Sequence, residues 1–187
     1  MPYPAKLTRE QILEAARNLL ENAGSAALSM RTLAEALGVR PSSLYRHFES
    51  QGAILGALGD EAALTLNRQL LETASEPPRQ ALESAAQSYL DFARAHPHLY
   101  ALLLTDRSPT TPEKLQTSAG KQLWNTLLLL IGRLSGNPDD TDHTVAFWTF
   151  LHGFVTLEAS GVYGKTGPRG GFKVGLKALL DATEAAQ

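Results

Sequence analysis

The chain contains no cysteine. That excludes disulfides, thiolate metal ligation, a cysteine nucleophile and thiol redox sensing, and it fits a reducing compartment. Long apolar runs are also missing. Spanning a bilayer takes roughly 18 apolar residues, and the most apolar stretch, Leu127 to Ile131, is broken by Gly132 and Arg133. Behind the start, Met1-Pro2-Tyr3-Pro4-Ala5-Lys6, there is no apolar signal core. The expectation is a soluble, cytoplasmic protein with no membrane partner. Strand signals are scarce, because β-branched and polar residues never alternate for long. No repeat of fixed period and no low-complexity tail is present.

Charge of one sign is lacking as well. The formal net charge of −2 argues against a chain that coats nucleic acid non-specifically. Within residues 1–50, Lys6, Arg9, Arg17, Arg31, Arg40 and Arg46 slightly outnumber Glu10, Glu14, Glu21, Glu35 and Glu49, and the remainder carries the acidic balance. Any nucleic-acid footprint must therefore be a local patch. Hydrophobic residues make up 43 % of the 187 positions, enough for a real core in one or two domains.

What remains is helix almost throughout. Thr8-x-x-Gln11 reads as a capping box, followed by Ile12, Ala15, Ala16, Leu19, Leu20 and Ala23 on one face and Gly24 as terminator. Ser29 caps a short second helix with Met30, Leu33, Ala34 and Leu37 inward, ended by Gly38. Pro41 suits the first turn of a third helix. Ser50 caps a fourth, running to about Ala74. Beyond the break at Glu76-Pro77-Pro78, helices are predicted from Arg79 to His96, His98 to Leu104, Glu113 to Leu134, Asp139 to Val162 and Phe172 to Ala185. A loop covers Asp106 to Pro112, a turn Gly136 to Pro138, and a glycine-rich connector Gly164 to Gly171. The predicted fold is all-α with about nine helices: a three-helix helix-turn-helix domain in 1–50 and a helical ligand-sensing and dimerisation domain in 51–187.

Three short helices with Gly38 between the second and third make a helix-turn-helix. With a rotation of about 100° per residue, Leu44 and Phe48 turn inward, Ser42, Ser43, Arg46 and His47 turn outward, and Tyr45 lies on the flank. Small hydroxyls allow close approach, and an arginine reads guanine edges or holds phosphate. Helix N-termini near Ser29 and Pro41 suit phosphate oxygens.

The run Leu28 to Phe48, above all Leu33-Ala34, Gly38-Val39 and Leu44-Tyr45-x-His47-Phe48, resembles the DNA-binding motif of the tetracycline-repressor-like (TetR) regulators over about residues 7–60. More weakly, His96-Pro97-x-x-Tyr100 and Trp148-x-x-x-His152-Gly153-x-x-x-Leu157-Glu158-x-x-Gly161 resemble the subgroup with a Trp-His-Gly effector domain. The resemblance implies DNA contacts from Arg31, Arg40, Pro41, Ser42, Ser43, Tyr45, Arg46 and His47, with Tyr45 on phosphate. Two positions depart from the family pattern. Arg40 stands where many members have a capping Ser or Thr, and Gln51-Gly52 where many have Lys-Glu with a phosphate-gripping lysine.

The helix from Asp139 to Val162 has almost no polar face, so it must be buried on two sides. A symmetry mate is the expected second partner, with an interface built from Phe147, Leu151, Phe154, Val155, Leu176 and Leu180, and with Gly153 and Gly161 allowing close approach. Tyr89, Phe92, Tyr100, Trp124, Trp148 and His152 are candidate lining for an effector pocket taking an apolar or aromatic compound.

Other motifs are set aside. Gly164-Lys165-Thr166 lacks the glycine five residues earlier and follows a helix, unlike a phosphate loop. His96-x-His98 reads as a helix end, and Asp139-Asp140-x-Asp142-His143 as acids at a helix start. No nucleophile elbow or triad is present, so no enzyme, no metal and no cofactor is expected. The sequence-level expectation is a regulator, repressing transcription, that binds a palindromic double-stranded DNA operator as a homodimer and is released by a small-molecule effector.

Overall fold

The computed structural model describes residues 7–103, 118–164, 167 and 170–186. The described residues form nine α-helices: α1 (Arg9–Ala23), α2 (Met30–Ala36), α3 (Pro41–Leu44), α4 (Gln51–Glu72), α5 (Pro78–Ala95), α6 (Pro97–Leu102), α7 (Ala119–Ser135), α8 (Thr141–Ala159) and α9 (Gly171–Glu184), with short 3₁₀ turns at Ser25–Ala27 and Thr73–Ser75. No strand occurs among them. None of the described helices is long and apolar enough to cross a membrane. The predicted loop 106–112, the predicted helix start at Glu113 and the pair Lys165-Thr166 lie outside the described residues.

The predicted caps are largely where the residue chemistry puts them. The Thr8 hydroxyl accepts from the Gln11 amide N–H at 3.2 Å, and the Gln11 side chain accepts from the Thr8 N–H at 3.0 Å. Both free donors at the start of α1 are thus satisfied. Gly24 closes α1 at φ +76°. Pro41 occupies the first turn of α3, and the Ser50 hydroxyl accepts from the Ala53 N–H at the start of α4. Arg40, at the N-cap of α3, makes no side-chain capping bond, as its chemistry requires: a guanidinium has no acceptor to offer.

Packing divides the described residues into two compact units. The first holds α1 to α3, α4 as far as Ala62, and α6. Residue 50 marks the cap of α4, but the contacts carry this unit a further three turns along the helix. Its core is Ile12, Ala16, Leu20, Leu28, Leu33, Leu44, Phe48, Ile54 and Leu58, all buried. The Glu21 carboxylate accepts from the Leu99 N–H at 2.9 Å, satisfying one of the free donors at the start of α6.

The second unit holds the rest of α4 with α5, α7, α8 and α9, around Leu66, Leu70, Leu82, Tyr89, Leu127, Leu130, Ile131, Phe147, Leu151 and Leu180. Arg133 donates to the carbonyls of Ala74 and Glu76 at 2.6 and 2.8 Å, supplying partners for carbonyls at the α4 end. Arg79 joins α5 to α9 through Asp181 and Glu184 at 2.7 and 2.8 Å. A Cβ at Gly175 would stand 2.4 Å from the Phe150 ring. The glycine is what lets that ring lie flat against α9, stacked on Phe172 at 5.5 Å.

Candidate nucleic-acid interface and effector region

The recognition surface is built within the first unit from α2, the turn after it, and α3. Ser29 starts α2 with a reciprocal pair of bonds to Thr32: its hydroxyl accepts from the Thr32 N–H at 3.0 Å, and Thr32 Oγ1 accepts from the Ser29 N–H at 2.9 Å. The turn closes through Gly38 N–H to the Glu35 carbonyl and Val39 N–H to the Ala34 carbonyl. Gly38 sits at φ +65°, a conformation that costs glycine nothing and a β-carbon roughly 1–2 kcal/mol.

From that turn, α3 emerges with the predicted polarity. Leu44 and Phe48 are buried at 0 and 2 % exposure. Arg40, Pro41, Ser42, Tyr45 and Arg46 are exposed, and Ser43 and His47 are half-buried. Tyr45 keeps 55 % of its surface in solvent, unusual for an aromatic ring with a core available one residue away. Arg31 lies on the exposed side of α2, paired with Glu35 one turn on at 2.9 Å; that hydrogen bond raises its pKa further above the ordinary guanidinium value. All eight residues predicted to meet DNA therefore present solvent-accessible surface, and none is spent in the core.

Sequence reasoning missed Arg9. From the first turn of α1 its guanidinium donates to the His47 carbonyl at 3.0 Å and lies 3.8 Å from the centroid of the Phe48 ring. The partners are 38 residues apart, so no local spacing could have announced them.

Three of the residues predicted to line an effector pocket, Tyr89, Trp124 and Trp148, are brought together in the second unit. Tyr89 is buried on α5, and its hydroxyl accepts from Trp148 Nε1 at 3.3 Å. Trp124 meets Trp148 edge to face, with 6.4 Å between ring centroids, a favoured aromatic geometry. His152 lies one turn beyond Trp148 on α8, with Nε2 3.3 Å from the Thr156 hydroxyl. Burial lowers its pKa from the ordinary imidazole value. Phe92 is buried on α5 in the same unit, whereas Tyr100 is buried on α6 in the first.

The structure places the residues predicted for the dimer interface within the chain's own core. Phe147, Leu151, Phe154, Val155, Leu176 and Leu180 are all buried inside their own chain, at 0–9 % exposure. Their apolar surface is consumed by the intrachain core, because α8 packs against α5 and α7 as well as α9, where Phe150 and Phe154 meet Phe172. The exposed residues of α8 include Val145, Ala146, Thr149, Thr156 and Leu157, with Gly153 half-buried; those of α9 include Val174, Ala178 and Ala182 beside the charged Lys173, Lys177, Asp181 and Glu184. The acidic cluster at the start of α8 is local structure: the Asp140 carboxylate caps the helix by accepting from the His143 N–H at 3.2 Å and meets its Nδ1 at 2.9 Å.

Residues 12–58 match the family described as bacterial regulatory proteins, tetR family. Residues 82–179 match the one described as tetracyclin repressor-like, C-terminal domain. The chain is 31 % identical over 167 residues to the HTH-type transcriptional regulator Rv0681 of Mycobacterium tuberculosis, covering 85 % of this chain and 73 % of that protein. Among solved structures, a protein from Rhodococcus sp. RHA1 is similar over the whole of both chains, at 25 % identity and a TM-score of 0.78. The fold is shared with TetR-Q116A from Acinetobacter baumannii AYE, solved with minocycline, at 23 % identity and a TM-score of 0.73 over 96 % of this chain and 98 % of that one. These matched families and the mycobacterial relative are transcriptional regulators, not enzymes. On the match of both halves and on that relative, this chain belongs to the TetR family of bacterial transcriptional regulators.

Proposed function

We propose that the protein is a repressor that binds a palindromic DNA operator as a homodimer and is released by a small-molecule effector. The observation that carries the DNA half is the two-sidedness of α3: Leu44 and Phe48 are locked in the core while Ser42, Tyr45 and Arg46 stand in solvent beside them. On this reading Arg46 reads a base edge, Tyr45 holds a phosphate, and Ser42 and Ser43 leave room for the groove wall. Arg31 and Arg40 add phosphate attraction, Pro41 starts the helix that meets the backbone, and His47 borders the contact.

The dimer half rests on the outward stripe of α8 and α9. Ala146, Thr149, Gly153, Ala178 and Ala182 are small and uncharged, and an added Cβ at Gly153 would meet nothing within 4 Å. Such a surface favours close approach of two helices. A two-fold through it would present two copies of α3, and half-sites about 34 Å apart fit successive major grooves. The effector half rests on the cluster of Tyr89, Trp124 and Trp148, with the His152 imidazole one turn further along α8. A minocycline complex of a protein with this fold supports a small aromatic effector. Trp148, His152 and Gly153 support the Trp-His-Gly subgroup.

The test is selection of bound duplexes from a random library at fixed salt, followed by sequencing and fluorescence anisotropy. A palindrome with half-sites about one helical turn apart supports the reading and supplies the operator for effector screening. A folded dimer that enriches no sequence would overturn it in favour of a protein-interaction module.

A further inference from the structure

Leu44 and Phe48 anchor the recognition helix in the core, but its backbone is short and weakly capped. Its α-helical part is four residues long, and its N-cap, Arg40, makes no side-chain capping bond. Its end is closed by a long bond from the Tyr45 N–H to the Pro41 carbonyl at 3.4 Å and by the His47 and Phe48 N–H groups, which share the Leu44 carbonyl at 2.9 and 3.0 Å. Carbonyls beyond that point have no helix to bond to. One of them, on His47, receives the Arg9 guanidinium at 3.0 Å, and the same cation covers the Phe48 ring at 3.8 Å.

The geometry points to Arg9 as the residue that sets the pose of the recognition helix. The guanidinium makes two contacts of different kind: an N–H donated to a carbonyl, and a cation set over an aromatic ring. Together they fix both the height and the rotation of the turn that carries Tyr45, Arg46 and His47. The carbonyl end of a helix also favours a cation. Arg9 precedes residues 12–58, the segment matched to the family. Arg9 acts through the turn and is a positioning residue; it is not required to touch DNA. The inference rests on α3 being the recognition helix.

Two measurements on the full chain test it. Amide hydrogen exchange needs no DNA: in Arg9→Lys and Arg9→Met, the His47 and Phe48 amides should exchange about tenfold faster, the effect of losing a charge-assisted hydrogen bond. The amides of α7 to α9 should keep their wild-type rates, which separates a loosened turn from an unfolded protein. Anisotropy with the selected operator and with a random duplex is the second arm. Arg9→Lys keeps the charge, so its affinity for random duplex and its salt slope should match wild type. Its operator affinity should fall about tenfold, the loss following from a turn no longer held in register. Wild-type exchange in both variants, with Arg9→Lys binding operator normally, overturns the proposal. In that case Arg9→Met would weaken both duplexes alike and flatten the salt slope by about one phosphate contact. If the wild type itself selects no operator, the DNA-binding reading has failed, and the exchange rates alone decide whether Arg9 orders the turn.

Discussion

Glu35 holds the Arg31 guanidinium at 2.9 Å on the exposed side of α2, with both side chains mostly in solvent. In the free protein this pair is worth little. Next to DNA it has a cost, because Glu35 neutralises a cation that phosphate would otherwise use and adds an anion facing other anions. Glu35→Gln should therefore strengthen binding to duplexes of any sequence by about two- to fivefold at low salt. Anisotropy with random duplexes measures this directly. An unchanged or weaker affinity would mean that Arg31 does not face the duplex.

Arg46 and Tyr45 are expected to differ in kind. Arg46→Ala should cost about 1–3 kcal/mol of operator binding and relax preference at one base position. Uniform weakening with a shallower salt slope would show that it only holds phosphate. Tyr45→Phe removes one hydroxyl from a ring already 55 % exposed, so folding should be untouched. Operator and random duplex should weaken together, by about 0.5–1.5 kcal/mol. A change confined to sequence preference would assign the hydroxyl to a base instead.

Most of the fold could be read from local chemistry. Thr8, Gly24, Ser29, Gly38, Pro41 and Ser50 act on backbone groups within a few residues, so their positions announce the helix ends without reference to the rest of the chain. The orientation of α3 was legible for the same reason: Leu44 and Phe48 are one turn apart. The partition of α8 was not. An apolar helix declares that it is covered on several sides, but which residues its own chain covers depends on where α9 lands. That depends in turn on Gly175 making room for Phe150. The burial of Phe147 and Leu151 within the chain was therefore not legible, and Ala178 drew no notice because small residues have low hydrophobic weight. Arg9 was illegible because both its contacts are with residues some forty positions away.

Asp140 gives a pH-dependent contribution to stability. Burial disfavours its charge, and hydrogen bonds from His143 and Ser135 outweigh that, leaving its pKa below the ordinary carboxylate value. A carboxyl with a depressed folded pKa contributes fully above its unfolded pKa, and the contribution disappears as pH falls through the folded value. The wild type should lose stability relative to Asp140→Ala as pH drops below about 4, and exceed it by about 0.5–2 kcal/mol at pH 7. Urea unfolding of both proteins at pH 7 and in mild acid decides this. A pH-independent difference would show that the cap works through geometry alone.

Gly132 tests the turn between α7 and α8. A Cβ there would lie 2.8 Å from the Asn137 carbonyl oxygen and 2.9 Å from Pro138 Cα. Both are backbone atoms, and Pro138 restricts how far they can yield. Alanine would normally stabilise a helix interior by about 1 kcal/mol over glycine. Here the clash should win, and Gly132→Ala should destabilise by about 1–3 kcal/mol. A raised melting temperature would mean that the turn gives way freely.

The dimer prediction turns on which residues of α8 and α9 are still available. Ala178 and Gly153 lie on the outward stripe, away from Phe147 and Leu180, which the chain already buries. Ala178→Arg places a long charged side chain where a second copy would need close contact, yet it disturbs nothing inside the chain, since Ala178 is exposed. Its melting temperature should match wild type, and sedimentation at micromolar concentration should show a monomer. Operator binding should then collapse towards the affinity of random duplex, because a single helix-turn-helix reads only one half-site. Leu180→Ala is the contrasting variant. Leu180 is fully buried in its own chain, so this change should lower stability by about 2–5 kcal/mol while the folded fraction remains dimeric. If Ala178→Arg sediments as a dimer, the stripe is not the interface. If Leu180→Ala yields a stable, well-folded monomer, the buried residues were the interface after all.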